Sequence, residues 1–233
     1  MTSILIVTTS HTNIPGSDDR TGVWFEELAT PYYAFIDAGC TVTLASVRGG
    51  EIPIDGRSLA ETPLPASVQR FHDDPAALEA AHHSKPVADL TATDYDAIFL
   101  PGGHGTMWDF PNNPSLATAI TSMLDAGKIV ASVCPGPAAF LGVERIDGSP
   151  LIKGRSITCF TDDEERAVHL DDKVPFLLES SLRAAGAQVS TGPDFAPHIM
   201  EDGNLLTGQN PKSSEPLAHA VVDALKARQI KAA

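Results

Sequence analysis

Ile129-Val130-Ala131-Ser132-Val133-Cys134-Pro135-Gly136-Pro137-Ala138-Ala139-Phe140 carries an apolar strand into one cysteine and leaves it through proline and glycine toward a helix. That is the form in which a fold presents a nucleophile. Ser132 and Gly136, two residues to either side of Cys134, are small enough for a sharp turn, the physical content of the nucleophile elbow read loosely as S-x-C-x-G. A thiol at such a corner points at the positive end of the following helix, whose unpaired N–H groups favour the thiolate. On these residues alone Cys134 is either that nucleophile or an inert core thiol at the end of a buried strand.

Outward from this segment, short apolar runs of strand length alternate with helical patterns. The alternation predicts an α/β chain with a mostly parallel central sheet and helices on both faces. Strands are predicted at Ile4 to Thr8, Val42 to Ser46, Ala97 to Leu100, Ile129 to Val133, Ser156 to Phe160 and Gln188 to Ser190. Helices are predicted at Gly22 to Asp37, Ser115 to Asp125, Val174 to Ala185 and Glu215 to Ala227, with Ser214 a candidate N-cap for the last. Thr62 to Asp89 reads as a short helix and loops lying over the sheet. At 233 residues, with no shift in composition, the chain is expected to form one domain, 1–233.

Sixteen basic against thirty acidic residues give a formal net charge of −14. Such a surface repels nucleic acid and anionic membranes, so neither is expected as a partner. Cys40, Cys134 and Cys159 lack paired spacing, which argues against a disulfide framework or a zinc knuckle and for a reducing, cytoplasmic compartment. Met1-Thr2 leads directly into the first strand, without a basic or long apolar leader. The histidines at 11, 72, 82, 83, 104, 169, 198 and 219 show no metal-ligand spacing, and no metal is expected.

In open parallel sheets, ligands bind beyond the carboxyl ends of the strands. Gly102-Gly103-His104-Gly105 ends one predicted strand there. Its bare amides suit an anion or a developing oxyanion, or a plain turn. His104 lines a pocket or acts as a base in one reading, and caps a backbone carbonyl in the other. Glu26 and Glu27 open the first helix. Neighbouring helical residues diverge by about 100°, so one can turn inward, desolvated and poised to carry protons, unless both face water. Asp162-Asp163-Glu164-Glu165 complements a helix start. A carboxylate of this run has no histidine beside Cys134 to orient, because Pro135 stands there.

Taken in order, Thr21-Gly22 through Glu27 and Pro31, Tyr95-Asp96-Ala97 through Gly105 and Met107-Trp108-Asp109, the Cys134 elbow, Phe160 through Glu165, Val174 through Glu179, and Leu206 through Pro211 resemble the ThiJ/PfpI superfamily, with the class I glutamine amidotransferase-like fold. The likeness is greatest to its heat-shock-chaperone and glyoxalase III branch. The resemblance implies a flavodoxin-like three-layer sandwich, Cys134 as nucleophile, Glu27 as the glutamate beside it, Gly103 as an oxyanion donor and Glu165 as the acid of the family's triad. It also implies cofactor-independent conversion of a small 2-oxoaldehyde such as methylglyoxal to a 2-hydroxy acid, and a homodimer.

One position departs from that pattern. The branch carries histidine directly after the nucleophile, and this chain carries Pro135, which has no N–H for an oxyanion hole. Proline also biases the residue before it toward extended backbone, which sets Cys134 against the strained elbow. The glyoxalase or deglycase reading survives because its proton transfer belongs to Glu27, although a slow rate is expected. The alternatives are an amidase, peptidase or hydratase-like activity on another small electrophile, and a non-enzymatic stress protein: a redox sensor through Cys134 or a chaperone.

Overall fold

The central strands are apolar on both faces because both faces are covered. In the computed structural model, which describes residues 1–60 and 62–232, the elements in chain order are β1 (Ser3–Thr8), α1 (Phe25–Asp37), β2 (Thr41–Ser46), α2 (Ala66–His72), α3 (Pro75–His82), β3 (Lys85–Pro86), β4 (Ala97–Leu100), α4 (Thr106–Asp109), α5 (Pro114–Asp125), β5 (Ile129–Val133), β6 (Ser156–Ile157), α6 (Asp162–Ala167), α7 (Leu178–Ala184), β7 (Gln188–Val189), β8 (Ile199–Asp202), β9 (Leu205–Gly208) and α8 (Ser214–Ala232). Successive strand residues point to opposite faces. Ile4, Ile6, Ala97, Phe99, Ile129, Ala131 and Val133 pack toward Leu28 and Phe35 of α1 and Leu217 and Val221 of α8. Leu5, Val7, Ile98, Leu100 and Val130 pack toward Met107 of α4, Leu116 and Ile120 of α5 and Phe140. Phe99 meets Phe35 edge-on at 5.6 Å between ring centroids. Removing a core ring of this kind costs about 3–5 kcal/mol.

The seven-stranded sheet has the order β3-β2-β1-β4-β5-β9-β8, parallel except for β8 against β9. This is a three-layer α/β sandwich of flavodoxin-like order. From β1 the chain builds outward through β2 and β3, then returns to place β4 on the other side of β1. Strand order therefore reverses between β1 and β4, which opens the crevice in which such sheets bind ligands.

The predicted spans for β4 and β5 match the structure, and those for β1 and β2 miss by one residue. Helix starts differ: α1 begins at Phe25 and not Gly22, α7 at Leu178 and not Val174, and Ser214 is the first residue of α8 and not its N-cap. The strands differ in two places. Ser156 to Phe160 is a strand only over Ser156–Ile157, paired with β7 in a separate two-stranded sheet. The place beside β5 is taken by β9, which the sequence reading passed over because its apolar part is only Leu205-Leu206. The residues after β6 are instead tied to the main sheet, with the Thr158 amide donating to Thr207 Oγ1 at 2.8 Å and the Phe160 amide to the Cys134 carbonyl at 3.1 Å. The Thr62 to Asp89 stretch forms α2, α3 and the edge strand β3. Phe71 of α2 meets Phe25 of α1 edge-on at 5.3 Å.

Candidate active site

Cys134 has φ +61°, in the left-handed region. This overturns the extended backbone that Pro135 was expected to impose. Two hydrogen bonds over-determine the position: the Cys134 amide donates to the Gly208 carbonyl at 2.9 Å, and its carbonyl accepts from the Phe160 amide at 3.1 Å. Strain of this kind, of order 1–3 kcal/mol, persists only where surrounding structure enforces it. Pro135 itself sits at φ −74°, ψ −4°, which proline adopts without difficulty. Gly136 then passes so close to β4 and β5 that a Cβ would lie 2.5 Å from the Leu100 carbonyl oxygen and 2.6 Å from Ser132 Oγ. The S-x-C-x-G spacing is thus a packing requirement. Past the elbow the chain makes only the short 3-10 turn Gly136–Phe140 and not an α-helix, so the helix dipole expected behind the thiol is largely missing.

Glu27 is fully buried on the inward side of α1, and its Oε2 accepts the Gly102 amide at 2.7 Å. The other oxygen, Oε1, has no hydrogen-bond partner among the described residues. Burial pushes the carboxyl up to about 8, against the opposing pull of the neighbouring Cys134 thiol and the Gly102 amide. Burial likewise pushes the Cys134 thiol well above its ordinary range, reinforced by the Glu27 charge. The expectation of a thiolate-favouring corner is therefore reversed, by burial first. Sulfur and carboxyl form one coupled pair that readily holds a proton. Glu26, one residue earlier, lies instead at the cavity rim, 3.9 Å from Lys212 Nζ.

The cavity, of about 370 Å³, opens onto Cys134. Gly103 and His104 form its floor. Gly103, at φ +103°, runs so close to the start of α1 that a Cβ would meet the Gly22 carbonyl oxygen at 2.3 Å. Its amide makes no hydrogen bond among the described residues, which leaves it available to an oxyanion.

His104 caps no carbonyl. Its Nε2 lies 2.7 Å from Glu165 Oε1, and its Nδ1 lies 3.2 Å from an Arg57 guanidinium nitrogen. Arginine can only donate, so Nδ1 is the acceptor and Nε2 carries the proton given to Glu165. Both ring nitrogens are thereby engaged, and neither is left to serve Cys134. Glu165 does orient a histidine at this cavity, but one delivered from the β4 loop. Arg57 is in turn held by the fully buried Asp55, through Nε to Oδ1 at 2.9 Å. Although burial pushes Asp55 up, the contacts with Arg57 outweigh it and hold the carboxyl below its usual range.

Sequence reasoning named Cys134, Glu27, Gly103, His104, Pro135 and Glu165. Cys134, Gly103 and His104 line the cavity, Glu165 lies behind His104 and Glu27 is buried beside Cys134, while Pro135 continues the turn at the elbow. Missed were Arg57 with Asp55, and the wall residues Trp24, Phe195, Asn210 and Lys212. An arginine two residues after an aspartate, in the otherwise uncharged stretch Ile52 to Leu59, was the one available signal. Among the described residues no group of His, Cys, Asp and Glu is arranged to hold a metal ion, and no helix is long and apolar enough to cross a membrane.

With this geometry in hand, the sequence model of the DJ-1/PfpI family matches residues 22–224. Glyoxalase 3 of Candida albicans is 30% identical over 235 residues, covering 97% of this chain and 99% of its own length. Glutathione-independent glyoxalase HSP31 of Saccharomyces cerevisiae is 32% identical over 233 residues, covering 96% and 98%. Among solved structures, the 24 kDa rapid encystment protein of Francisella tularensis superposes with a TM-score of 0.93 at 36% identity, over 97% of this chain and 99% of that one. Glyoxalase III of Candida albicans superposes with 0.88 at 31% identity, over 96% and 97%.

Proposed function

The chain belongs to the DJ-1/PfpI family, and from that premise we propose that it is a glyoxalase III-type enzyme that converts 2-oxoaldehydes such as methylglyoxal to 2-hydroxy acids without a cofactor. The observation that carries the reading is the Cys134–Glu27 pair: a strained, cavity-facing thiol beside a fully buried carboxyl that burial pushes up to about 8. Full-length likeness to two glutathione-independent or glyoxalase 3 relatives supports the same chemistry.

In this scheme the Cys134 sulfur bonds to the aldehyde carbon, the carbonyl electron pair moves to oxygen, and the thiol proton ends there, giving a hemithioacetal. The Gly103 amide stabilises the oxygen as charge develops. Glu27, as carboxylate, removes the hydrogen on that carbon as a proton, and the electrons shift onto the neighbouring ketone oxygen to give an enediolate. The proton returns from Glu27 to the second carbon, and the first becomes a thioester as its hydroxyl proton passes to the oxygen on the second carbon. Water adds to the thioester, the carbon–sulfur bond breaks, and the 2-hydroxy acid departs with the thiol restored. Net, one water is consumed and no oxidant or reductant is needed. His104, bound to Glu165 on one side and Arg57 on the other, acts with Glu165 as a positioning residue for the Gly103 loop.

This assignment needs no base at position 135, which favours it over triad-style amide hydrolysis, where an amine leaving group needs a general acid. The single domain spanning 1–233, a homodimer, a cytoplasmic location and a role in stress response belong to the same proposal, supported by family membership and composition. Incubating the purified chain with methylglyoxal, without glutathione and with a chelator present, tests the reading. Stoichiometric lactate is the expected product. Absence of lactate, with selective oxidation of Cys134 by mild peroxide, would favour the sensor reading instead.

A further inference from the structure

Three aromatic rings form one wall of the cavity in sequence. Phe160 meets the edge of His104 at 5.9 Å, and Phe195 meets Phe160 at 6.3 Å. Trp24, Val168 and Pro211 continue the apolar lining. Phe195 is unusual twice over, being 45% exposed at the cavity mouth and having φ +55°. A bulky residue enters the left-handed region only under compulsion.

Glu164 supplies it. This carboxylate is fully buried, a costly placement unless its oxygens are satisfied. Its Oε1 accepts the Phe195 amide at 2.8 Å, Asn210 Nδ2 at 2.8 Å and Gln209 Nε2 at 3.2 Å, and its Oε2 accepts the Thr161 amide at 3.0 Å. One acid therefore ties the start of α6, the end of β9 and the loop bearing Phe195 together, and sets the ring at the entrance to the thiol.

A cavity of about 370 Å³ falls within the roughly 300–1,000 Å³ of sites that enclose much larger ligands. Methylglyoxal, with a single methyl substituent, leaves most of it unfilled and touches little of the aromatic wall.

Resting on the glyoxalase reading, we propose that Phe195 is a specificity-determining residue, positioned by Glu164, and that the site selects 2-oxoaldehydes bearing a flat apolar substituent. Such a group stacks along Phe160 and Phe195 while its aldehyde carbon reaches Cys134. Phenylglyoxal, which takes up one water to become mandelate, is the probe.

Initial-rate kcat/KM values for phenylglyoxal and methylglyoxal are compared in wild type, Phe195→Ala and Phe195→Tyr. The expected result is a phenylglyoxal-to-methylglyoxal ratio that falls about ten-fold in Phe195→Ala, chiefly through KM for phenylglyoxal, and recovers in Phe195→Tyr, the scale on which apolar pockets discriminate. A ratio in Phe195→Ala equal to that of the wild type overturns the proposal and leaves the glyoxalase reading standing. Wild type that makes acid from neither aldehyde overturns both.

Discussion

The Glu27 carboxyl lies buried beside the Cys134 thiol at the carboxyl end of β5, and it receives the amide of Gly102 at 2.7 Å. One buried acid thus stands between the sulfur and the loop that carries Gly103. Its proton governs both what the sulfur can do and how stable the fold is, and each consequence can be measured.

In the proposed reaction Glu27 abstracts a proton as the carboxylate, yet burial holds the acid form up to about 8. The rate is therefore expected to climb with pH and level off above an apparent value near 8. A steady-state profile for methylglyoxal checks this. A limb at the ordinary glutamate value of 4.5, with a flat rate through neutrality, would mean that the base is solvated.

The same shift predicts a stability slope. Between 4.5 and about 8 the folded chain retains the Glu27 proton that the unfolded chain has lost. The unfolded state then binds fewer protons, so this contribution to stability, complete below 4.5, is lost as pH rises to about 8. Glu27→Gln keeps an acceptor for the Gly102 amide and has no proton to lose. Thermal melts should show the variant gaining on wild type across that window, by on the order of a few kcal/mol, with the gap constant above it.

Glu165 and His104 are each buried and face each other at 2.7 Å. Deleting the carboxylate in Glu165→Ala strands the His104 Nε2–H and loosens the Gly103 loop. Urea denaturation should report a loss of about 1.5–3 kcal/mol, the scale for a hydrogen bond to a charged group. Glu165→Gln, whose amide oxygen still accepts, should recover most of it.

Pro135 withholds the amide that elbows of this kind commonly aim at an oxyanion. Its backbone, φ −74° and ψ −4°, suits alanine equally well. Pro135→Ala is expected to raise kcat on methylglyoxal by an order of magnitude or more, since one oxyanion donor is worth about 10²–10³ in rate. An unchanged kcat would show that the missing donor does not limit turnover.

Much of this arrangement was legible in the chain, and the illegible parts share a cause. Ala97–Leu100 and Ile129–Val133 could be read because buried parallel strands are apolar throughout and end at Pro101-Gly102 or at Cys134. Periodicity alone left Glu26 and Glu27 undecided, and the family pattern singled out Glu27. Cys134 broke the proline rule because contacts from Gly208 and Phe160, distant in sequence, outweigh a local bias. Arg57 and Phe195 were hidden for the same reason. Arg57 meets His104 across 47 positions and Phe195 meets Glu164 across 31, and no local pattern encodes such pairings. The spacing of Thr161 and Glu164 is that of the capping box the structure contains. It gives no hint that the other oxygen of Glu164 organises the cavity mouth.

Lactate formation from methylglyoxal by wild type, Cys134→Ala and Glu27→Gln, each verified as folded by circular dichroism, tests the shared role of sulfur and acid most directly. The account predicts that both variants fall to the rate of buffer alone while the wild type turns over. Wild-type turnover retained in either variant would contradict it.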